Sequence, residues 1–121
     1  MNNDARILIV EDEAISAMWL ETQLSRDGYT ILGIVDNGSD AIRAAEQQHP
    51  DIVLMDIRLA GPMDGIEAAR VITRQCHCSV IFMSGYSDQL VRLQNEGLTS
   101  SGYLSKPIQM PELERLLTQV S

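Results

Sequence analysis

Five short apolar runs, Ile7–Val10, Ile31–Val35, Ile52–Met55, Val80–Met83 and Tyr103–Leu104, punctuate this chain, with helix-like spacing between them. Most are rich in Val and Ile and read as strands. The first, third and fourth lack polar alternation, as expected of strands covered on both faces. After the first run, Ile15, Met18, Trp19 and Thr22 recur at helical spacing. After the second, behind the turn formers Asn37 and Gly38, so do Ala41, Ala44, Ala45 and Gln48. A helix is predicted over Asp64 to Gln75, with Ile66, Ala69 and Thr73 inward, and a shorter one from Ser87 to Glu96, ending at Gly97. Leu113, Leu116, Leu117 and Val120 mark a last helix, and Pro111 suits its first turn.

Strand and helix thus alternate five times. That order predicts an α/β fold: a doubly wound parallel sheet with right-handed crossovers and helices on both faces. The 121 residues are enough for one domain, taken here as residues 1–121. With 45% hydrophobic residues the chain should be globular. No apolar run approaches the length of a bilayer span, and the N-terminus lacks a signal segment, so a cytoplasmic protein that avoids membranes is expected. The net charge of -8 disfavours direct contact with nucleic acid. Cys76 and Cys78 flank His77, but a lone C-x-C is not a zinc pattern, and these residues read as a loop that holds two free thiols.

In open sheets of this kind functional groups gather at the carboxyl ends of the strands. The first run ends in Glu11-Asp12-Glu13, the third in Asp56, the fourth in Ser84-Gly85 and the fifth in Ser105-Lys106-Pro107. An unpaired buried carboxylate at Asp56 would be costly. Clustered carboxylates also raise one another's pKa unless a cation is present. Mg2+ takes oxygen ligands, commonly one or two carboxylates plus phosphate and water. With Lys106 as a second positive charge, the rim suits phosphoryl chemistry with Mg2+. Each short motif alone reads as structural, an acidic helix start, a turn or a loop; their joint position at four strand ends is what points to function.

The blocks ILIVEDE, DIVLMDIRLAGPMDG, VIFMSGYSD and GYLSKP, in that order and spacing, resemble the receiver domain of bacterial two-component response regulators over nearly the whole chain. The resemblance implies a flavodoxin-like (βα)5 fold with strand order 2-1-3-4-5. It implies a phosphorylation-dependent signalling switch, not an enzyme beyond its own phosphoryl transfer and slow autodephosphorylation. Asp56 would accept a phosphoryl group from the phosphohistidine of a sensor kinase or phosphotransfer protein. Glu11, Asp12, Asp56 and the Arg58 carbonyl would hold Mg2+, and Lys106 would pair with Asp56 and then with the phosphoryl oxygens. Ser84 and Tyr103 would act as the switch, altering the face of the fourth helix, fifth strand and fifth helix for a protein target or output domain. A monomer with a phosphorylation-linked dimer is expected, with a cis peptide before Pro107. Arg58 and Tyr86, two residues beyond Asp56 and Ser84, would tune loss of the phosphoryl group. The Asp56-to-Asp64 interval is one residue longer than the commonest family pattern, with Gly61-Pro62 in the loop.

Three rivals are weaker. A flavin carrier needs a hydroxyl- and glycine-rich loop after the first strand, where this chain has acids. An aspartyl-phosphate phosphatase would carry a second acid at the position of Arg58. A pseudo-receiver that works without phosphate would have no need of Asp56, Asp12 and Lys106 together.

Overall fold

The computed structural model describes residues 4–85 and 102–120. The expected helix from Ser87 to Glu96, and Tyr86, lie outside the described residues. The elements run β1 (Arg6–Val10), α1 (Ala14–Arg26), β2 (Thr30–Val35), α2 (Gly38–Gln48), β3 (Ile52–Asp56), α3 (Gly65–Gln75), β4 (Ser79–Ser84), β5 (Gly102–Ser105) and a C-terminal helix (Met110–Val120). All strand pairs are parallel, in the order β2-β1-β3-β4-β5.

The central strands β1, β3 and β4 are buried from both sides, which explains their unbroken apolar runs, while the edge strands β2 and β5 stay partly exposed. Because side chains alternate across a strand, Ile7, Ile9, Ile52, Leu54, Ile81, Met83 and Leu104 face one layer. There they meet Ala17, Leu20 and Leu24 of α1 and Leu113, Leu116 and Leu117 of the C-terminal helix. Leu8, Val10, Val53, Met55, Val80 and Phe82 face the other, against Ala41, Ala44 and Ala45 of α2 and Ile66, Ala69 and Ile72 of α3. Alanines on α2 let that helix lie close to the sheet.

Local chemistry sets the helix starts. Asn37 caps α2, its side chain accepting from Asp40 N. Asp64 caps α3 in a reciprocal pair with Glu67, which satisfies two otherwise orphaned backbone donors. On α1 the residues noted at helical spacing are not the buried ones, and on α3 one inward residue differs from expectation. On α1, Ile15, Met18, Trp19 and Thr22 all point away from the core, and Ala17, Leu20 and Leu24 are the buried stripe. On α3, Ile72 takes the inward place, and Thr73 is exposed, its hydroxyl donating to Ala69 O. On α1 two stripes satisfy helical spacing, and periodicity alone does not say which one meets the sheet; on α3 Ile66 and Ala69 are buried as expected and only the last member of the stripe differs, positions 72 and 73 both lying one turn from Ala69. The fifth strand, expected as Tyr103–Leu104, is four residues long.

Candidate functional site

The alternation that fills the core also assembles the site. Glu11 continues the parity of Ile7 and Ile9, Asp56 that of Ile52 and Leu54, and Lys106 that of Leu104. All three therefore leave the carboxyl edge on the same face of the sheet. The ladder continues one residue past the strands: Glu11 N donates to Val35 O (2.9 Å), Ile57 N to Met83 O (3.1 Å) and Lys106 N to Ser84 O (2.8 Å). These bonds hold the backbone from which the three side chains project.

Lys106 Nζ sits between the acids, 2.9 Å from Glu11 Oε2 and 3.0 Å from Asp56 Oδ2, with Glu13 Oε1 at 3.7 Å. Glu11 is 2% and Asp56 4% exposed, so neither carboxylate has bulk water to offset its charge, and Lys106 supplies the counter-charge. Asp56 Oδ1 accepts from Arg58 N at 3.1 Å, and Glu11 Oε1 from Glu13 N at 3.1 Å. Carboxylate oxygens of Glu11, Asp12 and Asp56 all lie within 4.8 Å of one another. Burial and the neighbouring Asp56 charge push the Glu11 carboxyl above its usual value, against the opposing hydrogen bond from Lys106. Burial alone would lower the Lys106 ammonium, but hydrogen bonds to Glu11 and Asp56 outweigh it and raise its pKa.

Of the residues singled out from the sequence, the structure brings together Glu11, Asp12, Asp56 and Lys106. Arg58 joins Asp12, Glu13, Asp56, Gly85 and Lys106 in lining a cleft of about 420 Å³ above the carboxylates. Ser84 ends β4, buried, paired in register with Ser105. Tyr103 sits on β5 opposite Phe82 and is 47% exposed. The Lys106–Pro107 peptide is cis. Cys76 and Cys78 are free thiols on the far side of the molecule from the cleft, at the amino edge of β4. Among the described residues the Glu11, Asp12 and Asp56 set is the one group that could hold a metal ion.

Two features escaped the sequence reading. Glu13, read as part of the acidic run but given no role, is a third acid facing Lys106. Beside the cleft, and sharing Glu13 and Lys106 with it, lies a groove of about 630 Å³ lined by Ile15, Trp19, Pro107 and Ile108. Ile15 is 85%, Met18 61% and Trp19 41% exposed. The signal was the second apolar stripe on α1, offset from the stripe that enters the core.

The family model for the response regulator receiver domain matches residues 7–118. The transcriptional regulatory protein PdtaR of Mycobacterium tuberculosis is 34% identical over 110 residues, covering 89% of this chain and 52% of PdtaR. The chain spans about half the length of the curated relatives it matches. The signal receiver domain of a modulated diguanylate cyclase from Desulfovibrio desulfuricans is similar in structure, with a TM-score of 0.89 and 36% identity. That match covers 97% of this chain and 93% of that one. The receiver domain of the sensor histidine kinase PA1611 from Pseudomonas aeruginosa, which carries a magnesium ion coordinated in its active-site cleft, matches with a TM-score of 0.84 and 32% identity, covering 97% of each chain.

Proposed function

This chain belongs to the response regulator receiver domain family, and from that premise we propose that Asp56 is the phosphoacceptor of a signalling switch. The observation that carries the proposal is a nearly buried carboxylate, 4% exposed, whose counter-ion is Lys106 and whose neighbours are two further acids. In the transfer, an Asp56 carboxylate oxygen attacks phosphorus. The O–P bond forms, the P–N bond to the donor imidazole breaks, and the electron pair leaves with the imidazole nitrogen. Such a reaction asks the protein mainly to align the groups and neutralise charge. Lys106 stands where it can turn from the carboxylate to the phosphoryl oxygens.

Three carboxylates within 4.8 Å, one of them exposed to the cleft, fit a hard divalent cation. Asp12 and Asp56 would hold Mg2+, with Glu11 behind them and the Arg58 carbonyl as a further ligand. Glu11 is fully engaged by Lys106 and Glu13 N, which favours Asp12 as the more direct acid. Bound there, Mg2+ would offset the negative charge that accumulates as the phosphoryl group arrives.

After transfer, the Ser84 hydroxyl would reach for the phosphoryl group and Tyr103 would turn inward behind it, altering the face around β5 and the C-terminal helix. Arg58 and Tyr86 would flank the path of an attacking water and prolong the phosphorylated state. The donor is a sensor histidine kinase or histidine phosphotransfer protein. It must place its imidazole over Asp56, and the groove of Ile15, Trp19, Pro107 and Ile108 adjoins that point, offering an apolar seat for a donor helix. The recipient is a protein target or an output domain. We place the chain in the cytoplasm; no helix among the described residues is long and apolar enough to cross a membrane.

The test is intact mass after incubation with Mg2+ and acetyl phosphate. One added phosphoryl group, absent in Asp56→Asn and without Mg2+, is expected. A folded wild-type chain that stays unmodified while a phosphohistidine donor protein also fails to label it would overturn the assignment in favour of a phosphate-independent interaction module.

A further inference from the structure

Residues 57–64 leave the phosphoacceptor and lead to α3, and they are anchored at both ends. At the near end Arg58 N donates to Asp56 Oδ1 and Ile57 N to Met83 O. At the far end Gly65 N donates to Ile57 O at 2.8 Å, closing the loop on itself. A side chain at Gly65 would collide with the Asp56 carbonyl, so the start of α3 has no slack against the acceptor's backbone.

The tip of the loop leans on another element. Ala60 pairs with Asn37 in an isolated parallel bridge. Met63 lies across Gly38, where a Cβ would stand 2.9 Å from its sulfur. Leu59 and Met63 both pack on the core under α2 and α3. Gly61 has φ +88°, a conformation that favours glycine, and the ring of Pro62 fixes its own φ and restricts Gly61 before it. Asn37 is the cap of α2: its Oδ1 accepts from Asp40 N, and its Nδ2 donates to Asp36 and Asp40. An unbroken chain of bonds and packed atoms therefore runs from the Asp56 carboxylate to the first turn of α2.

We propose that the loop is a strut that reports the state of Asp56 to the first turn of α2, making Asn37–Ala41 a second phosphorylation-responsive segment besides the face around β5. The proposal rests on Asp56 being the acceptor. Phosphorylation turns the carboxylate into an acyl phosphate. Arg58 N–H then loses a charge-assisted bond to a carboxylate oxygen. Residues 57 and 58 must readjust, and the closed far end and filled contact at Gly65 leave the tip as the outlet. Packed interfaces respond by shifting between discrete arrangements, not by deforming smoothly.

The experiment follows backbone amides of the full chain by NMR and hydrogen exchange, before and after acetyl phosphate with Mg2+, with intact mass taken in parallel. Asn37–Ala41 amides are expected to shift and to change exchange rate by roughly fivefold or more, the lower end of ordinary coupling. In Met63→Ala phosphorylation should persist while that response collapses, and Met63→Leu, which refills the contact on Gly38, should restore it. A phosphorylated chain whose Asn37–Ala41 amides stay unchanged, or a Met63→Ala response equal to wild type, overturns the strut. Absence of any added phosphoryl group instead overturns Asp56 as acceptor, so the two failures are distinguishable.

Discussion

Replacing Asp56 by Asn should abolish phosphorylation yet barely alter stability, whereas replacing Lys106 by Ala should unfold the metal-free protein far more easily. The magnitudes follow from the geometry. At an effective dielectric of about 20, two like charges at the 4.8 Å that bounds these separations repel by about 3.5 kcal/mol. Asp56 meets two such neighbours, Glu11 and Asp12, for about 7 kcal/mol of repulsion. Its attraction to Lys106 at 3.0 Å is about 5.5 kcal/mol on the same scale. These nearly cancel, so Asp56→Asn should stay within about 1 to 2 kcal/mol of wild type, on the stabilising side. Lys106→Ala removes the cation from two carboxylates whose side chains are 1% and 6% exposed and leaves them facing each other. Breaking a buried pair costs about 3–5 kcal/mol. Since Lys106 is 24% exposed, about 2–4 kcal/mol is the expected loss. Urea denaturation in EDTA measures both. Adding Mg2+ at tenfold its Kd should then stabilise wild type by about 1.4 kcal/mol and Asp56→Asn by less. If Asp56→Asn costs more than Lys106→Ala in EDTA, the carboxylate cluster is not the repulsive centre inferred here.

Other consequences are separately measurable. Ile15→Glu and Trp19→Ala, both in the groove lining, should slow transfer from a phosphohistidine protein by roughly tenfold or more while leaving acetyl phosphate labelling unchanged; equal losses with both donors would count against the apolar groove as a docking seat. Arg58→Ala and Tyr86→Ala should each shorten the lifetime of phospho-Asp56, and a wild-type half-life of seconds that neither changes would refute their shielding role. Burial, and then the neighbouring Cys76, push the Cys78 thiol up to about 11. At pH 8 roughly one-thousandth is thiolate, so iodoacetamide should modify Cys78 slowly in the folded chain and quickly in urea. A folded pKa above the unfolded one favours the fold at low pH, so this contribution is full below pH 9 and lost as pH rises through about 11. Gly65→Ala should destabilise by at least about 1–3 kcal/mol, because its new methyl must displace the Asp56 backbone or the first turn of α3; a neutral Tm would contradict the contact.

Much of the site was legible because the code there is local. Val- and Ile-rich runs with helical spacing between them point to a parallel, doubly wound sheet, the strand order itself coming only with the family resemblance, and strand ends are where such a sheet gathers its polar groups. Glu11, Asp12, Asp56 and Lys106 could be placed on one rim from their positions after the apolar runs. The same parity argument accounts for the carboxylate–lysine contact across four strands. The cap pair of Asp64 with Glu67 is likewise local, its members three residues apart in the sequence.

What the chain alone left open were choices between equivalent patterns. On α1, Ile15-Met18-Trp19 and Ala17-Leu20-Leu24 both fit a helix, and only the space between α1 and the sheet decides that the smaller residues go inward. The larger stripe is then left exposed beside Lys106. On α3, Ile72 and not Thr73 completes the inward stripe: the apolar side chain fills the core, and Thr73 keeps its hydroxyl at the surface, donating to Ala69 O. The seat of Met63 on Gly38, the bridge from Ala60 to Asn37 and the contact of Gly65 with Asp56 join residues far apart in the sequence. The sequence by itself determined the five strands, the helices among the described residues, their parallel alternation and the residues available to the acidic rim, since propensity and alternation are properties of neighbours. Only the tertiary structure decided which helix face is buried and which loop leans on which helix, because those outcomes depend on the volume left between elements, which no local pattern encodes.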